Sequence, residues 1–274
     1  MKQLAIFVGV VALSLSVSVP RASADDHKYT LKDLKALIDQ KGYQEVLQHL
    51  DDVAPSDRKQ DWIDIAGQAA AAYMTEAEPS DKLGIMVGVE KQYPALIKSS
   101  AYTKARLDAI PKAFSACYEH ASGRYGGEEE RLKGFDKCIE IGQKFIDSEP
   151  SNAAMPLAIA RATGKTSFPY KSLGLFKTAL AAAGKGAAAV CKEEGITHGV
   201  INALHFAGGK LLEETTAVST TCWAVVKKPV MDEVTKKDTS DTFKMSACAI
   251  ASAQKDYGKA DAAACADVPK PKTK

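Results

Sequence analysis

Apolar residues recur every three or four positions along most of the chain, the spacing that lines one face of an α-helix. Leu31, Leu34, Leu37 and Ile38 form a first stripe that Gly42 ends, and Val46, Leu47, Leu50 and Val53 form a second before Pro55. Ser56 is placed to cap a third helix, which carries Trp62, Ile63, Ile65, Ala66, Ala69, Ala70 and Tyr73. Pro79 and Ser80 open a fourth, with Leu83, Met86 and Val89 inside it and Tyr93-Pro94 at its end. Helices are expected over 100–122 and 128–147, and Pro111 should kink or divide the first of these. Further helices are expected at 187–206, at 209–237 with a bend at Pro229, at 241–257, and briefly near 260–267. No run alternates with period two in β-branched residues, so the pattern predicts an all-α protein.

The N-terminus is patterned differently. Lys2 precedes an apolar run from Leu4 to about Val19, and Ala22-Ser23-Ala24 follows before Asp25. This predicts a signal peptide over 1–24, cleaved after Ala24, and a mature protein in the periplasm or secreted. The absence of a cysteine after the run argues against a lipid anchor, and no later apolar stretch is long enough to span a bilayer. Losing Lys2 and Arg21 takes the 36 basic residues to 34, against 34 acidic ones. A net charge of zero leaves no electrostatic footprint for nucleic acid.

GYQEVLQHLDDVAPSDRKQDWIDIAGQAAAAY (Gly42 to Tyr73) and GFDKCIEIGQKFIDSEPSN (Gly134 to Asn152) carry a family pattern. An aromatic follows glycine, small or apolar residues fall four apart, and a proline ends the helix. Cys138 and Ser172 stand 34 residues apart in the same register. Over residues 30–182 the chain resembles tetratricopeptide repeats, with departures: Pro156 stands where a tryptophan belongs and Pro55 comes early. The resemblance implies an α-solenoid of antiparallel hairpins over 25–184, each burying its apolar face on its neighbours. Residues 185–267 then read as a C-terminal helical region packed on it, and 268–274 as a loose basic tail. The resemblance also implies a groove for a protein or peptide partner, lined by Gln60, Ile63, Gly67 and Ala70, and by Ala154, Leu157, Arg161 and Gly164. These are mostly small or apolar, which suits a hydrophobic or helical partner.

Motifs for chemistry are weak. TGKT (Thr163 to Thr166) resembles part of a phosphate loop, but Ile159 stands where that loop needs glycine, and a helix precedes it. GKGAAA (Gly184 to Ala189) follows a helix as well and reads as a linker. Cys191, His198 and His205 would share one face of a continuous helix, but seven residues rise ~10.5 Å, too far for two ligands of one zinc. Cys117 and His120 have the spacing of a thiolate pair, yet a bridge is the simpler fate in an oxidising compartment. Glu128, Glu129 and Glu130 suit a solvated helix start, and Glu193 and Glu194 have no visible partner. No catalytic, cofactor or metal residue is assigned, and the expectation is a non-catalytic binding or scaffolding module. The competing classes are a cell-wall hydrolase with an all-α active site and a binder of small apolar ligands.

The six cysteines, Cys117, Cys138, Cys191, Cys222, Cys248 and Cys265, favour structural disulfides in an exported chain. Residues equidistant from a hairpin turn sit side by side. Cys248 and Cys265 are then offset by ~4.5 Å, Cys191 and Cys222 by ~6 Å, and Cys117 and Cys138 by ~7.5 Å. Joining Cys222 to Cys248 leaves ~12 Å, beyond a bridge's reach. Neighbour pairing is favoured, and other connectivities stay open.

Overall fold

A computed structural model describes residues 29–123, 127–206 and 209–269. The expected signal peptide over 1–24, its cleavage point and the last residues of the basic tail lie outside these. Among the described residues every regular element is a helix.

The first, α1 (Leu31–Asp39), is opened by a reciprocal cap: the Thr30 hydroxyl accepts the Asp33 N–H, and the Asp33 carboxylate accepts the Thr30 N–H at 2.9 Å. After α2 (Tyr43–Gln48) and a short 3-10 turn comes α3 (Gln60–Glu76). Its cap residue is Lys59, not Ser56. Pro55 draws Ser56 into a 3-10 turn, and Arg58 pins that turn by donating to the Val53 and Asp51 carbonyls at 2.9 and 2.7 Å. Next are α4 (Pro79–Gln92), α5 (Ser100–Ser122) and α6 (Glu128–Ser148). Pro111 does not divide α5. That helix is gripped by α3, α4 and α6, and such packing outweighs the lost backbone hydrogen bond.

Beyond these lie α7 (Ala154–Gly164), α8 (Leu173–Ala183), α9 (Ala187–Val190), α10 (Glu194–His205), α11 (Gly209–Thr221) and α12 (Trp223–Val234). The chain closes with α13 (Asp241–Ser252) and α14 (Lys259–Ala264). Two expectations need correction here. The helix expected over 187–206 is broken between Cys191 and Glu193, so Cys191, His198 and His205 do not share one helix. The one expected over 209–237 breaks at Cys222, and Pro229 lies inside α12. Both breaks fall at the two halves of one disulfide, whose Cα atoms are 5.1 Å apart. Gly184 ends α8 at φ 51°, a left-handed conformation that glycine adopts without strain.

The three bridges join neighbours: Cys117–Cys138 ties α5 to α6, Cys191–Cys222 joins two helix ends, and Cys248–Cys265 ties α13 to the end of α14. Hairpin arithmetic overestimated the offsets for the first and second, whose Cα atoms are 6.2 and 5.1 Å apart; at the second, Cys191 and Cys222 occupy helix caps, where the chain can bend toward its partner. Three disulfides fit an oxidising compartment. No helix among the described residues is long and apolar enough to cross a membrane.

Packing runs from α3 to α5, α5 to α7 and α7 to α10, with α4 and α6 against α5 and with α8 against α7 and α11. Small buried residues make this close: Ala66, Ala69 and Ala70 on α3, Ala109 and Ala113 on α5, Ala158 and Ala162 on α7. At Gly67 a Cβ would come within 2.0 Å of the Ser99 hydroxyl, so the start of α5 sits on α3 only because that position is glycine.

Inside this interface lies a charge. Arg106 on α5 is fully buried, its Nη1 2.7 Å from Glu90 of α4 and its Nη2 paired with Glu149, which caps α6. The Tyr102 hydroxyl donates to the same Glu90 oxygen at 2.9 Å, and the guanidinium lies 5.7 Å from the Phe145 ring centroid. Removing one partner from a buried pair leaves the others uncompensated. Arg106→Met should therefore cost about 3 kcal/mol in urea unfolding. Adding Glu90→Gln and Glu149→Gln should return most of that loss. An unchanged midpoint in the single variant would show that the clamp contributes nothing.

Candidate functional site

The sequence-derived groove positions divide by burial. Gly67 and Ala70 are shut inside the α3–α5 contact, and Gly164 is buried where a Cβ would stand 3.5 Å from the Gly195 backbone. Gly67 and Ala70 cannot line an open groove, because small residues there let the backbones of α3 and α5 approach. Gln60 is exposed and donates to Asp64 at 2.9 Å, while Ile63 is half-buried against the core. On α7, Ala154 and Arg161 are exposed and Leu157 is half-buried.

Arg161 and Gly164 border a cleft of about 530 Å³ between the end of α7 and the start of α10. Gln60 and Ile63, on α3, are not part of its lining. The other walls come from Lys165 and Thr166, which follow α7, and from Glu193, Glu194, Gly195 and His198. Arg161 spans the cleft as a two-pronged pair: Nε donates to Glu193 Oε2 at 2.7 Å and Nη2 to Oε1 at 2.5 Å. Such fork-to-fork pairs fix orientation as well as adding energy. These hydrogen bonds hold the Glu193 carboxyl below the usual carboxylate range, against the opposing effect of its partial burial. The same bonds raise the Arg161 guanidinium further.

The sequence reading left Glu193 without a partner, and the structure supplies one 32 residues away. Nothing local encodes that contact; it exists because α9 and the bridged turn at Cys191 return the chain to the end of α7. TGKT turns out to be the end of α7 and the residues after it. The Thr163 hydroxyl is buried, bonded to the Ile159 carbonyl at 2.9 Å and to the Tyr118 hydroxyl at 2.6 Å. Burial pushes the Tyr118 phenol up to about 12, with the Thr163 hydroxyl acting in the opposite direction.

Other residues singled out in the sequence have structural settings. Cys117 is bonded to Cys138 and is no thiolate partner for His120. His205 packs on Phe243 with ring centroids 4.6 Å apart and the rings tilted by 39°, and its Nε2 lies 3.5 Å from Glu233. Glu128, Glu129 and Glu130 are exposed in the first turn of α6, where Glu129 meets Lys133 at 2.8 Å. No group of three or more His, Cys, Asp or Glu side chains among the described residues could hold a metal ion.

A second, larger groove of about 760 Å³ runs between α6 and α8. Asp136 and Gln143 edge it on α6, Tyr170 and Lys171 close one end, and Leu175 and Thr178 stand on α8. Lys171 bridges the end by pairing with Asp136 at 2.7 Å. Sequence reasoning missed this groove because its walls belong to helices that appear separately amphipathic.

A scan against protein-family models and searches of curated proteins and of solved structures found no match to this chain.

The Arg161–Glu193 pair carries a pH signature. Glu193's folded pKa lies below its unfolded value, so its stabilisation is present above the ordinary glutamate range of ~4.3. It is lost as pH falls through the depressed folded value. Asp261 is also held low, by the Gly258 N–H first and then by Lys227, so the whole protein loses stability in acid for more than one reason. The difference between wild type and Arg161→Met isolates the pair. That difference should favour wild type at neutral pH and vanish in acid, as read by urea midpoints across pH. A difference constant with pH would show that Arg161 acts through packing alone.

Proposed function

We propose that this is an exported, non-catalytic protein-binding or scaffolding module whose hairpins stack in the manner of tetratricopeptide repeats. Its leader is removed after Ala24 and its working compartment is the periplasm or the cell exterior. The partner is a protein or peptide, and no cofactor takes part.

The observation that carries the reading is the cleft around the Arg161–Glu193 pair. Its Arg161 stands one turn beyond Leu157, on the helix that the repeat resemblance assigns to the partner-facing side. The cleft sets a cation and carboxylates a few ångströms apart, with Lys165 and His198 beside them. A peptide segment offers matching groups in its side chains and backbone, and paired charges of both signs favour register and selectivity over raw affinity. The small-residue contacts among α3, α5 and α7, and the bridges beyond them, keep such a face rigid, and rigidity lowers the cost of binding.

A photoactivatable crosslinker placed at Lys165 or His198 of the exported protein, both exposed in the cleft wall, tests this directly. The same reagent at exposed Lys255 serves as the control. One defined protein should be captured at both cleft positions, be absent at Lys255, and disappear when Glu193→Lys opens the pair. Capture of the same species at all three positions, or of none at the cleft, would overturn the reading.

A further inference from the structure

We propose that the groove between α6 and α8 binds a neutral oligosaccharide, whose sugar rings pack on Phe206 and Tyr170. This site is separate from the Arg161 cleft and does not depend on the function proposed for it.

The shape comes first. Both α6 and α8 pack on α7, and the space left between them is the groove. From Asp136 to Gln143 on one wall and from Gly174 to Ala181 on the other is seven residues each, a trough ~10.5 Å long. That length suits an extended chain of a few sugar units. Glycine at 174 shapes one wall: a Cβ there would meet the Glu214 carboxylate at 3.3 Å, so that carboxylate lies directly over α8.

Charge comes second. Lys171 and Lys177 in the walls are balanced by Asp136 and Glu214. Lys171 is already paired with Asp136 at 2.7 Å, and Lys177 reaches Glu213 at 3.5 Å. An ionic ligand would have to break these pairs and finds no net field to draw it in. A neutral ligand rich in hydroxyls can use the same carboxylates, ammonium groups, Gln143 and Thr178 as hydrogen-bond partners and leave the charges paired.

The aromatic side chains decide the class. Phe135, Phe168, Tyr170 and Phe206 form a relay of ring contacts at 5.1, 6.2 and 6.0 Å between centroids. Its inner member is buried, whereas Phe206 is 65 % exposed, more than any other large apolar side chain described. Tyr170, which lines the groove, braces the Phe206 ring. An aromatic ring carries negative potential on its face, and the polarised C–H groups on one side of a pyranose ring pack against such a face. An amphipathic peptide helix would instead need a continuous apolar strip. Toward one the groove offers Ile139, Leu175 and the short Ala181, with charged pairs at its rim.

Calorimetric titration of the oxidised protein with cellohexaose, maltohexaose and chitohexaose tests the proposal. At least one should bind saturably, with an affinity that hardly changes between low and high salt. Phe206→Ala should weaken that binding about tenfold without moving the unfolding midpoint, and Phe206→Trp should retain it. No binding to any of the three would overturn the proposal. So would unchanged affinity in Phe206→Ala, or a steep salt dependence, which would place the binding on the charged pairs rather than on the rings.

Discussion

The first half of this molecule is organised around one buried cation. Arg106 has no exposure to water, and its guanidinium is held by a carboxylate from the helix before it and by another at the cap of the helix after it. A charge in that position is tolerated only while both partners stay in place. The pairing therefore fixes where α4, α5 and α6 lie relative to each other. It does so more selectively than alanine contacts can, since alanine surfaces slide past each other at little cost. Tyr102 and Phe145 close the site by covering the cation with ring surface.

From Cys117 onward the constraint changes from ionic to covalent. The residues from 29 to 116 contain no cysteine, and all three bridges lie between 117 and 265. Two of the bridges join helix ends, where helices as short as α9 and α14 bury too little surface to hold themselves. The Cys191–Cys222 bridge also sets the turn that brings Glu193 to Arg161, so the geometry of the cleft rests on a covalent link outside it. Lys82 does a comparable job in the first half. Nearly buried, it donates to the Met74 and Thr75 carbonyls at 2.5 and 3.0 Å and so terminates α3.

Much of this was legible in the sequence wherever the determinant was local. Apolar spacing placed α1, α4, α5 and α6 closely, and hairpin arithmetic selected the bridges because each joins near neighbours. Local reading failed where a distant residue decided. Ser56 has a capping side chain but sits in a turn fixed by Pro55 and Arg58. Continuous helices were expected through Cys191 and Cys222 because periodicity does not register a covalent tie. A signal for Arg106 was present: it falls in the stripe of Tyr102, Ala109, Ile110 and Ala113, which marks a core-facing position. Its partners, Glu90 and Glu149, lie 16 residues before it and 43 after it, and no spacing rule reaches that far. The cleft and the groove were illegible for the same reason, since each is walled by elements that meet only in the folded chain.

An ionic clamp holds the first half and covalent staples the second, and segment-resolved hydrogen exchange on the oxidised and the reduced protein tests that division. Reduction should speed exchange in α10 to α14 and around the Arg161 cleft, while α3 and α4 keep most of their protection. Equal loss of protection along the whole chain, or no change anywhere on reduction, would contradict it.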